Sequence, residues 1–269
     1  MSGIVRRVMT AGLLLAVFVP ALFWASPGVW AVLISIVIVI AAHEWARLSQ
    51  FPRGVSALYA ALLGLIALGL PYLPAADTLP LHASLLVLAA LFWVAIAPVW
   101  LSQRWRGQVF FIRAALGVVI LLPTWAALLY LRERSPWVLL AVLAVVWVAD
   151  TAAFFAGRRF GRHKLAPMIS PGKTREGVIG AMLALALYAS AVSAAVVGLK
   201  IVGALMLAMT LLYFAVLGDL FESWIKRVAD QKDSGTLLPG HGGVLDRIDA
   251  LTAALPIAAG VLLLADHYT

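Results

Sequence analysis

The stretch that decides the fold is "IVGALMLAMTLLYFAVLGDLFESWIKRVADQKDSGTLLPGHGGVLDRIDALTAALPIAAGVLLLA", residues 201–265. Its apolar runs, at about 201–221 and 247–265, are each close to the roughly 20 residues that a helix needs to cross a membrane. Between them lies a segment that gathers lysines, aspartates, a histidine and a glycine pair. The pattern predicts two membrane spans joined by a polar loop.

The rest of the chain repeats this apolar character. It is 64% hydrophobic and 12% charged, about half the charged fraction of a soluble domain. No alternation of period two competes with the apolar runs, so we predict an all-α integral membrane protein with about nine transmembrane helices. The chain contains no cysteine, which excludes disulfides and thiolate metal sites. The other seven runs lie at approximately 8–24, 29–46, 56–73, 83–101, 109–130, 137–156 and 177–198.

The start of the chain, "MSGIVRRVMTAGLLLAVFVPALFWAS", has the basic, apolar and small-residue order of a signal peptide. We prefer a retained first span, because further spans follow. With a cytoplasmic N-terminus, all but three of the 20 lysines and arginines fall on the inner side. The exceptions are Arg132, Arg134 and Lys200. This bias follows the positive-inside rule, so we expect a cytoplasmic N-terminus.

Charge is concentrated in two windows, residues 150–176 and 223–249, each with eight charged side chains. Both windows lie on the cytoplasmic side in the nine-span topology, so they are able to meet. We therefore divide the chain into an N-terminal transmembrane scaffold of five spans, residues 1–135, and a catalytic region of four spans with two cytoplasmic loops, residues 136–269.

The sequence "LGDLFESWIKR" carries the first candidate group. On a helix, the spacing of Asp219, Glu222, Ser223 and Lys226 predicts that they share one face. A carboxylate in a span usually faces a bundle interior or a water-filled cavity, because it is costly in hydrocarbon. For Glu222 and Lys226, a solvated ion pair at a helix end is an equal alternative.

The sequence "GHGGVLDRIDA" carries the second group. Asp246 and Asp249 lie one helical turn apart at the start of the last span, with Arg247 between them. Asp246 could be only a helix cap. Asp249, however, already lies inside the apolar run, and Asp219 lies in the neighbouring span. Two or three converging aspartates make an oxygen-rich site suited to Mg²⁺, which takes its remaining ligands from water and substrate phosphates.

A third group lies in "DTAAFFAGRRFGRHKLAPMISPGKTREG", residues 150–177. Its "PGKT" is not a Walker A motif, because Pro167 stands where that pattern needs glycine and no strand is predicted before it. Ser170 and Thr174 are candidate hydroxyl donors, and Lys173 is a candidate phosphate-binding cation. Anchoring to anionic lipid head groups is an equal alternative for the other cations, Arg158, Arg159, Arg162 and Lys164.

A further polar pair, His43 and Glu44, lies at the end of the second apolar run. We interpret it as a satisfied polar pair at a helix terminus rather than as part of a site.

These residues resemble a known family, the CDP-diacylglycerol synthases, also called phosphatidate cytidylyltransferases. The upstream block from Asp150 through "GRRFG" to "SPGKTREG" is similar to a second block of that family, and the likeness is strong from about residue 140 to 260. Arg175 departs from it, since members often have an aromatic or apolar residue there. The residues that match the family signature in order and spacing are Ser223, Lys226, Arg227, Lys232, Asp233, Gly235, Pro239, His241, Gly242, Gly243, Asp246, Arg247 and Asp249.

The resemblance implies a Mg²⁺-dependent reaction of CTP with phosphatidic acid that gives CDP-diacylglycerol and pyrophosphate. It also implies a homodimer, a second, monovalent cation such as K⁺, and an active site on the cytoplasmic side of a bacterial inner membrane. Asp219, Asp246 and Asp249 would be the metal ligands. The implied catalytic residues are Lys226, Arg227, His241, Asp246 and Asp249. The implied substrate-binding residues are Ser170, Gly172, Lys173, Thr174, Glu176, Ser223, Lys232, Asp233, Gly242, Gly243 and Arg247.

Two other functions are compatible with phosphate-binding loops and intramembrane acids. A lipid or polyprenol kinase would release a nucleoside diphosphate instead of pyrophosphate. An ion-coupled transporter would use the aspartates as coupling sites, but these cluster at one membrane face rather than the midplane. Nucleic acid is not expected as a partner, because the basic residues follow the topology and form no separate domain.

Overall fold

The protein is described here by a computed structural model that covers residues 3–72, 75–107, 109–238, 240 and 242–268. Within these residues the chain is almost entirely helical, with one short pair of strands. The elements, in order, are α1 (Gly3–Trp24), α2 (Pro27–Leu48), α3 (Arg53–Gly69), α4 (Ala75–Leu91), α5 (Ala97–Gln103), α6 (Phe110–Arg134), α7 (Pro136–Phe160), β1 (Lys164–Ala166), β2 (Ser170–Thr174), α8 (Arg175–Ala195), α9 (Ile201–Val228) and α10 (Leu245–Tyr268).

The predicted all-α membrane fold is confirmed. Seven helical segments in the described part of the chain are long and apolar enough to cross a membrane: Pro27–Leu48, Leu81–Gln103, Phe110–Arg134, Pro136–Phe160, Arg175–Ala195, Ile201–Val228 and Leu245–Asp266. Two shorter apolar helical segments, Gly12–Trp24 and Arg53–Gly69, correspond to the other two predicted spans. The count of nine spans and the cytoplasmic N-terminus therefore stay predictions.

Local sequence explains where several of these helices begin and change pitch. Ser135 accepts a hydrogen bond from the Trp137 N–H at 3.2 Å, and Pro136 occupies the first position of α7. This is the usual serine cap followed by proline. A π-helical turn, Phe92–Ile96, joins α4 to α5 just before Pro98. Proline cannot donate the next helical hydrogen bond, and the wider turn keeps the segment continuous.

One hydrophobic core runs through both predicted regions of the chain. Its largest fully buried side chains come from both halves and include Trp30, Trp45, Trp93, Trp125 and Phe221. Helix α10 packs against α9 and also against α6 and α4 of the N-terminal half. The division at residue 135 is therefore a prediction about roles, and the two regions share their packing.

The C-terminal end of α2 is fixed to α6 by buried polar contacts. The indole Nε1 of Trp45 donates to the Arg113 carbonyl at 2.9 Å. The buried Arg113 guanidinium donates in turn to the carbonyls of Leu48 at 3.1 Å, Arg106 at 2.9 Å and Gly107 at 2.8 Å. Because each buried donor has an acceptor, this end of α2 forms a stable platform.

Helices α9 and α10 approach closely at Gly218. A Cβ atom added there would lie 2.7 Å from the Asp249 carbonyl oxygen and 3.1 Å from the Ala253 Cβ. Small residues allow this kind of close helix contact in membranes. The contact brings the turn that carries Asp219 next to the turn that carries Asp249.

We expect Gly218→Val to push α9 and α10 apart and to lower the free energy of unfolding by about 2 kcal/mol, the usual cost of overpacking. Thermal unfolding in detergent measures the effect. Gly203→Val is the matched control, because it lies on the same helix and a Cβ there meets nothing within 4 Å. Equal thermal stability of the two variants would contradict the prediction.

Candidate active site

A short β-hairpin borders the site. Strands β1 and β2 are antiparallel, with Lys164 opposite Thr174 and Ala166 opposite Ser170. The prediction that no strand precedes the "PGKT" sequence is wrong, because β1 does. The signal was missed because a proline and a glycine inside β2 argue against a strand, and the pairing is only a few residues long.

The hairpin is held to the start of α8 by two side chains. Thr174 caps α8 by accepting a hydrogen bond from the Gly177 N–H at 3.1 Å. Glu176 accepts from the backbone N–H of Arg162 at 3.1 Å and of His163 at 3.2 Å, and one of its oxygens lies 2.6 Å from His163 Nδ1. Thr174 and Glu176, predicted to bind substrate, are thus engaged in holding the hairpin in this structure.

A cavity of about 530 Å³ lies between α7, α8, α9 and the hairpin. One part of its wall is charged and the other part is apolar, because the helices contribute aliphatic and aromatic side chains away from the hairpin. Such a cavity can hold a polar group and an adjoining hydrocarbon group. Its polar wall includes Asp150, Arg158, Lys164, Ser170, Lys173 and Asp219, and its apolar wall includes Phe154, Val178, Leu212 and Val216.

The polar wall is centred on an ion pair between Lys173 and Asp219. Lys173 Nζ lies 2.5 Å from Asp219 Oδ2, and the Ser223 hydroxyl donates to Asp219 Oδ1 at 3.2 Å. Asp150 interacts electrostatically with Asp219, Lys173 and Arg247. Sequence reasoning gave Asp150 no role, although a carboxylate inside an apolar run is a signal of function.

A second charged cluster surrounds Lys226, close to the first. Its Nζ lies 2.7 Å from Asp246 Oδ1 and 3.2 Å from Glu222 Oε1. The other oxygen of Asp246 accepts hydrogen bonds from the backbone N–H groups of Ser234 and Gly243, both at 2.8 Å. Asp246 therefore holds the loop before α10 in place and neutralises Lys226. The alternative prediction, that Asp246 is a helix cap, covers only the first of these two roles.

Glu222 is buried within the Lys226 cluster. It is only 4% exposed, so the alternative of a solvated Glu222–Lys226 pair is wrong. Apart from the ion pair with Lys226, neither of its carboxylate oxygens accepts a hydrogen bond among the described residues. The carboxylates of Glu222 and Asp219 both repel that of Asp249, so Asp249 lies near both clusters.

The three predicted metal ligands do not form one ligand set. The described residues include no group of three or more His, Asp or Glu side chains arranged to hold a metal ion. Asp219 and Asp249 lie close enough to interact, whereas Asp246 is bonded to Lys226 and to the loop. Asp246 and Asp249 are one turn apart on α10, but the Asp246 carboxylate is already engaged by Lys226 and by two backbone N–H groups of the loop.

Several predicted cations and acids lie outside the cavity wall. The Arg227 Nε donates to the Ile169 carbonyl at 3.3 Å and so connects α9 to the hairpin. Lys232 and Asp233 are exposed on the loop after α9, and Arg247 is exposed on the first turn of α10. Their predicted contacts with substrate stay predictions.

Some of the predicted serine and glycine residues line the cavity, and others lie in the loop before α10. Ser170 and Gly172 line the cavity from β2. Gly242 and Gly243 lie in the loop before α10, where Gly242 has a φ of 81° that favours glycine. His241, predicted to be catalytic, lies outside the described residues, as does Pro239.

Glu44 has a contact set that sequence reasoning missed. Its buried carboxylate accepts hydrogen bonds from the Ser234 hydroxyl at 3.0 Å and from the backbone N–H groups of Val244 at 3.0 Å and Leu245 at 2.8 Å. The prediction of a satisfied polar pair of His43 and Glu44 holds for Glu44 alone: its partners are in this loop, and the neighbouring His43 is exposed. About 200 residues separate Glu44 from its partners, and no local pattern signals such a contact.

Comparison with known proteins decides the family. A model described as "Cytidylyltransferase family" matches residues 5–265 of the chain. The chain belongs to this family. Among curated cytidylyltransferases, it is similar to the "Phosphatidate cytidylyltransferase" of Pseudomonas aeruginosa, with 37% identity over 96% of both chains. The proteins of the same name from Haemophilus influenzae, 35% identical over 93% of this chain and 96% of the relative, and Thermotoga maritima, 32% identical over 96% of both, are also similar.

We expect the loss of Lys226 and the loss of Lys232 to lower the stability of the protein by different amounts. Lys226→Met leaves Glu222 and Asp246 without their shared cation, and breaking a buried pair in this way costs about 3 kcal/mol or more. Lys232→Met, at an exposed position, should change stability by less than about 0.5 kcal/mol. Thermal unfolding of the purified variants tests this.

A second change distinguishes the electrostatic cause from lost packing. The double variant Glu222→Gln/Lys226→Met removes one of the unpaired acids and should regain part of the lost stability. If the double variant is as unstable as Lys226→Met, the loss comes from packing and the electrostatic explanation is wrong.

Proposed function

We propose that this cytidylyltransferase transfers CMP from CTP to phosphatidic acid and releases CDP-diacylglycerol and pyrophosphate. The observation that carries the proposal is the match of the family model to nearly the whole chain, residues 5–265. The names of three relatives that align over more than nine-tenths of the chain support the same substrates. The Lys173–Asp219 pair at the cavity and the neighbouring Lys226–Asp246 pair supply groups that such a reaction needs.

In the proposed reaction, a phosphate oxygen of phosphatidic acid attacks the α-phosphorus of CTP in line. The bond between the α-phosphorus and the oxygen that bridges to the β-phosphorus breaks, and pyrophosphate leaves with that oxygen. The attacking phosphate is already an anion at neutral pH, so the reaction needs no general base. Catalysis depends on positioning and on neutralising phosphate charge.

The cavity supports this assignment through its two-part wall. Lys173, Arg158 and Lys164 supply positive charge at the hairpin, where phosphate oxygens would bind. The apolar wall between α7, α8 and α9 would accept the glycerol and the start of the acyl chains, whose remainder stays in the bilayer. A lipid phosphate at the membrane surface therefore explains why charged groups lie at helix ends in so apolar a chain.

Mg²⁺ is part of the proposal. The residues present fit it in a limited way: Mg²⁺ commonly uses one or two protein carboxylates, with waters and phosphates completing its shell. Asp219 and Asp249, which lie close to each other, would hold it, and Asp246 would join them only by exchanging its bond to Lys226 for the ion. The ion would neutralise charge on the reacting phosphates. A second, monovalent cation such as K⁺ is proposed on the resemblance alone.

Binding of a cation to the aspartates would change the role of Lys173 and Lys226. Lys173 and Lys226 are each paired with an aspartate in the structure. If those carboxylates held a cation, Lys173 would lose its anionic partner and Lys226 would keep only Glu222, so both ammonium groups would become available to phosphate oxygens of CTP or phosphatidic acid. Ser223 and His241 would orient the same groups.

The location and assembly of the enzyme follow the same proposal. The chain is an integral membrane protein, and we propose the bacterial inner membrane with the active site on the cytoplasmic side, where CTP is present. The positive-inside bias of the loops supports this orientation. A homodimer is proposed from the family resemblance. The kinase and transporter alternatives lose support because the family match covers the chain.

The activity is tested with purified protein in detergent, phosphatidic acid, Mg²⁺ and radiolabelled CTP, with the label followed into the lipid phase. Labelled lipid and released pyrophosphate are expected. A nucleoside diphosphate product would indicate a kinase, and no labelled lipid at any metal concentration would reject the proposed reaction.

The proposed metal ligands are tested by removing one charge at a time. Asp219→Asn and Asp246→Asn should each lower kcat by about 100-fold or more, as expected when charge stabilisation in the transition state is lost. Asp230→Asn is the matched control: Asp230 is exposed and has a φ of 56°, which asparagine also adopts readily. Wild-type turnover in either of the first two variants would remove that residue from the site.

A further inference from the structure

We propose that Glu44 of α2 is a positioning residue for the reaction, which fixes the described residues 234–238 and 242–244 of the loop before α10 and through them the orientation of Asp246. The inference rests on the proposed function of Asp246. It assigns to the N-terminal scaffold a direct part in shaping the active site.

The contacts of Glu44 fall on the point where the loop becomes a helix. Its two oxygens accept from the N–H groups of Val244 and Leu245, at 3.0 and 2.8 Å. The first N–H groups of a helix have no partner within the helix, and a carboxylate is favoured there by the helix dipole. Glu44 therefore caps α10 from another helix and fixes where α10 begins.

Ser234 connects Glu44 directly to Asp246. Its hydroxyl donates to Glu44 at 3.0 Å, while its backbone N–H donates to Asp246 Oδ2 at 2.8 Å. The same hydroxyl oxygen accepts from the Asp246 N–H at 3.3 Å. A shift of Glu44 would thus move a donor that holds the Asp246 carboxylate, so the two acids are coupled through one residue.

Glycine packing shows that the loop lies directly on the Glu44 carboxylate. A Cβ atom added at Gly235 would lie 2.8 Å from Glu44 Cδ, and one added at Gly243 would lie 2.7 Å from it. Both distances are too short for a real contact, so the loop backbone approaches the carboxylate as closely as glycine permits. Gly243 also donates its N–H to Asp246, which makes it a second connection between the two acids.

Glu44 is held on a rigid support, whereas one part of the loop lies beside a cavity. The neighbouring Trp45 is anchored to the Arg113 carbonyl, so α2 cannot easily turn. On the loop side, Gly235, Thr236 and Leu237 border a cavity of about 530 Å³ between α2 and α3. With a cavity beside it instead of packed side chains, this part of the loop depends on Glu44 for its position.

The kinetic test compares Glu44→Gln with the wild type in the radiolabelled CTP assay. The amide keeps the shape but directs an N–H group at one of the loop donors. We expect kcat to fall about 10- to 100-fold, the usual effect of losing a residue that orients a ligand, while the KM for CTP changes less than about threefold. Glu133→Gln, the same change at an exposed position on α6, should leave both values unchanged.

A second readout does not depend on activity. Hydrogen–deuterium exchange of the intact protein in lipid nanodiscs should show faster exchange in the segment 234–245 for Glu44→Gln, with no change for Glu133→Gln. Ser234→Ala should lower kcat less than Glu44→Gln. The double variant Glu44→Gln/Ser234→Ala should lower it by less than the product of the two single effects, because both act through one connection.

The outcomes separate this inference from the proposed function. If the wild type makes CDP-diacylglycerol and Asp246→Asn is inactive, but Glu44→Gln has wild-type kcat and exchange, the positioning role is wrong and the function stands. A kcat that falls only in proportion to the amount of folded protein, or effects of Glu44 and Ser234 that simply multiply, would also overturn it. If the wild type makes no labelled lipid, the proposed function itself fails, while the exchange result still reports on the Glu44 contact.

Discussion

Charge buried at the ends of membrane-spanning helices must be compensated by opposite charge or by hydrogen-bond donors, and this constraint shapes the whole site. Lys226 is shared between Glu222 and Asp246, Lys173 is paired with Asp219, and Glu44 is bonded to the loop before α10. Because each compensation joins different parts of the chain, the charges also hold α2, the hairpin, α9 and α10 in a fixed arrangement.

Because of this arrangement, the predicted scaffold and the predicted catalytic region are not structurally separate. The hydrophobic core is continuous across residue 135, and α10 packs on helices of both halves. Glu44 adds a polar connection from the first half to the loop that holds Asp246. An active site needs its groups placed to within a fraction of an ångström, and rigid support provides this precision. The N-terminal helices therefore help to position the site.

Most of the fold was predictable from local signals. The long apolar runs predicted the helices, since hydrocarbon leaves a chain few other ways to satisfy its backbone. The predicted shared face of α9 agrees with the i, i+4 contacts of Asp219 with Ser223 and of Glu222 with Lys226. The short hairpin was not predicted, because the glycine and proline in β2 argue against a strand. The partners of Glu44 were not predicted either, because they depend on a contact between residues far apart in sequence. The pairing of Asp246 with Lys226 was also missed, since a position at the start of a helix is compatible both with a helix cap and with a metal ligand.

The sequence by itself determined an all-α membrane protein with its charge concentrated in two segments, because hydropathy and helical period are properties of neighbouring residues. The order and spacing of the residues from Ser223 to Asp249 also indicated the family that the full-length comparison confirmed. Only the tertiary structure decided which charges meet. Asp219 is paired with Lys173 in the cavity wall, Glu222 is buried beside Lys226, and Glu44 caps α10, because helix crossings such as that at Gly218 set distances that no local pattern encodes.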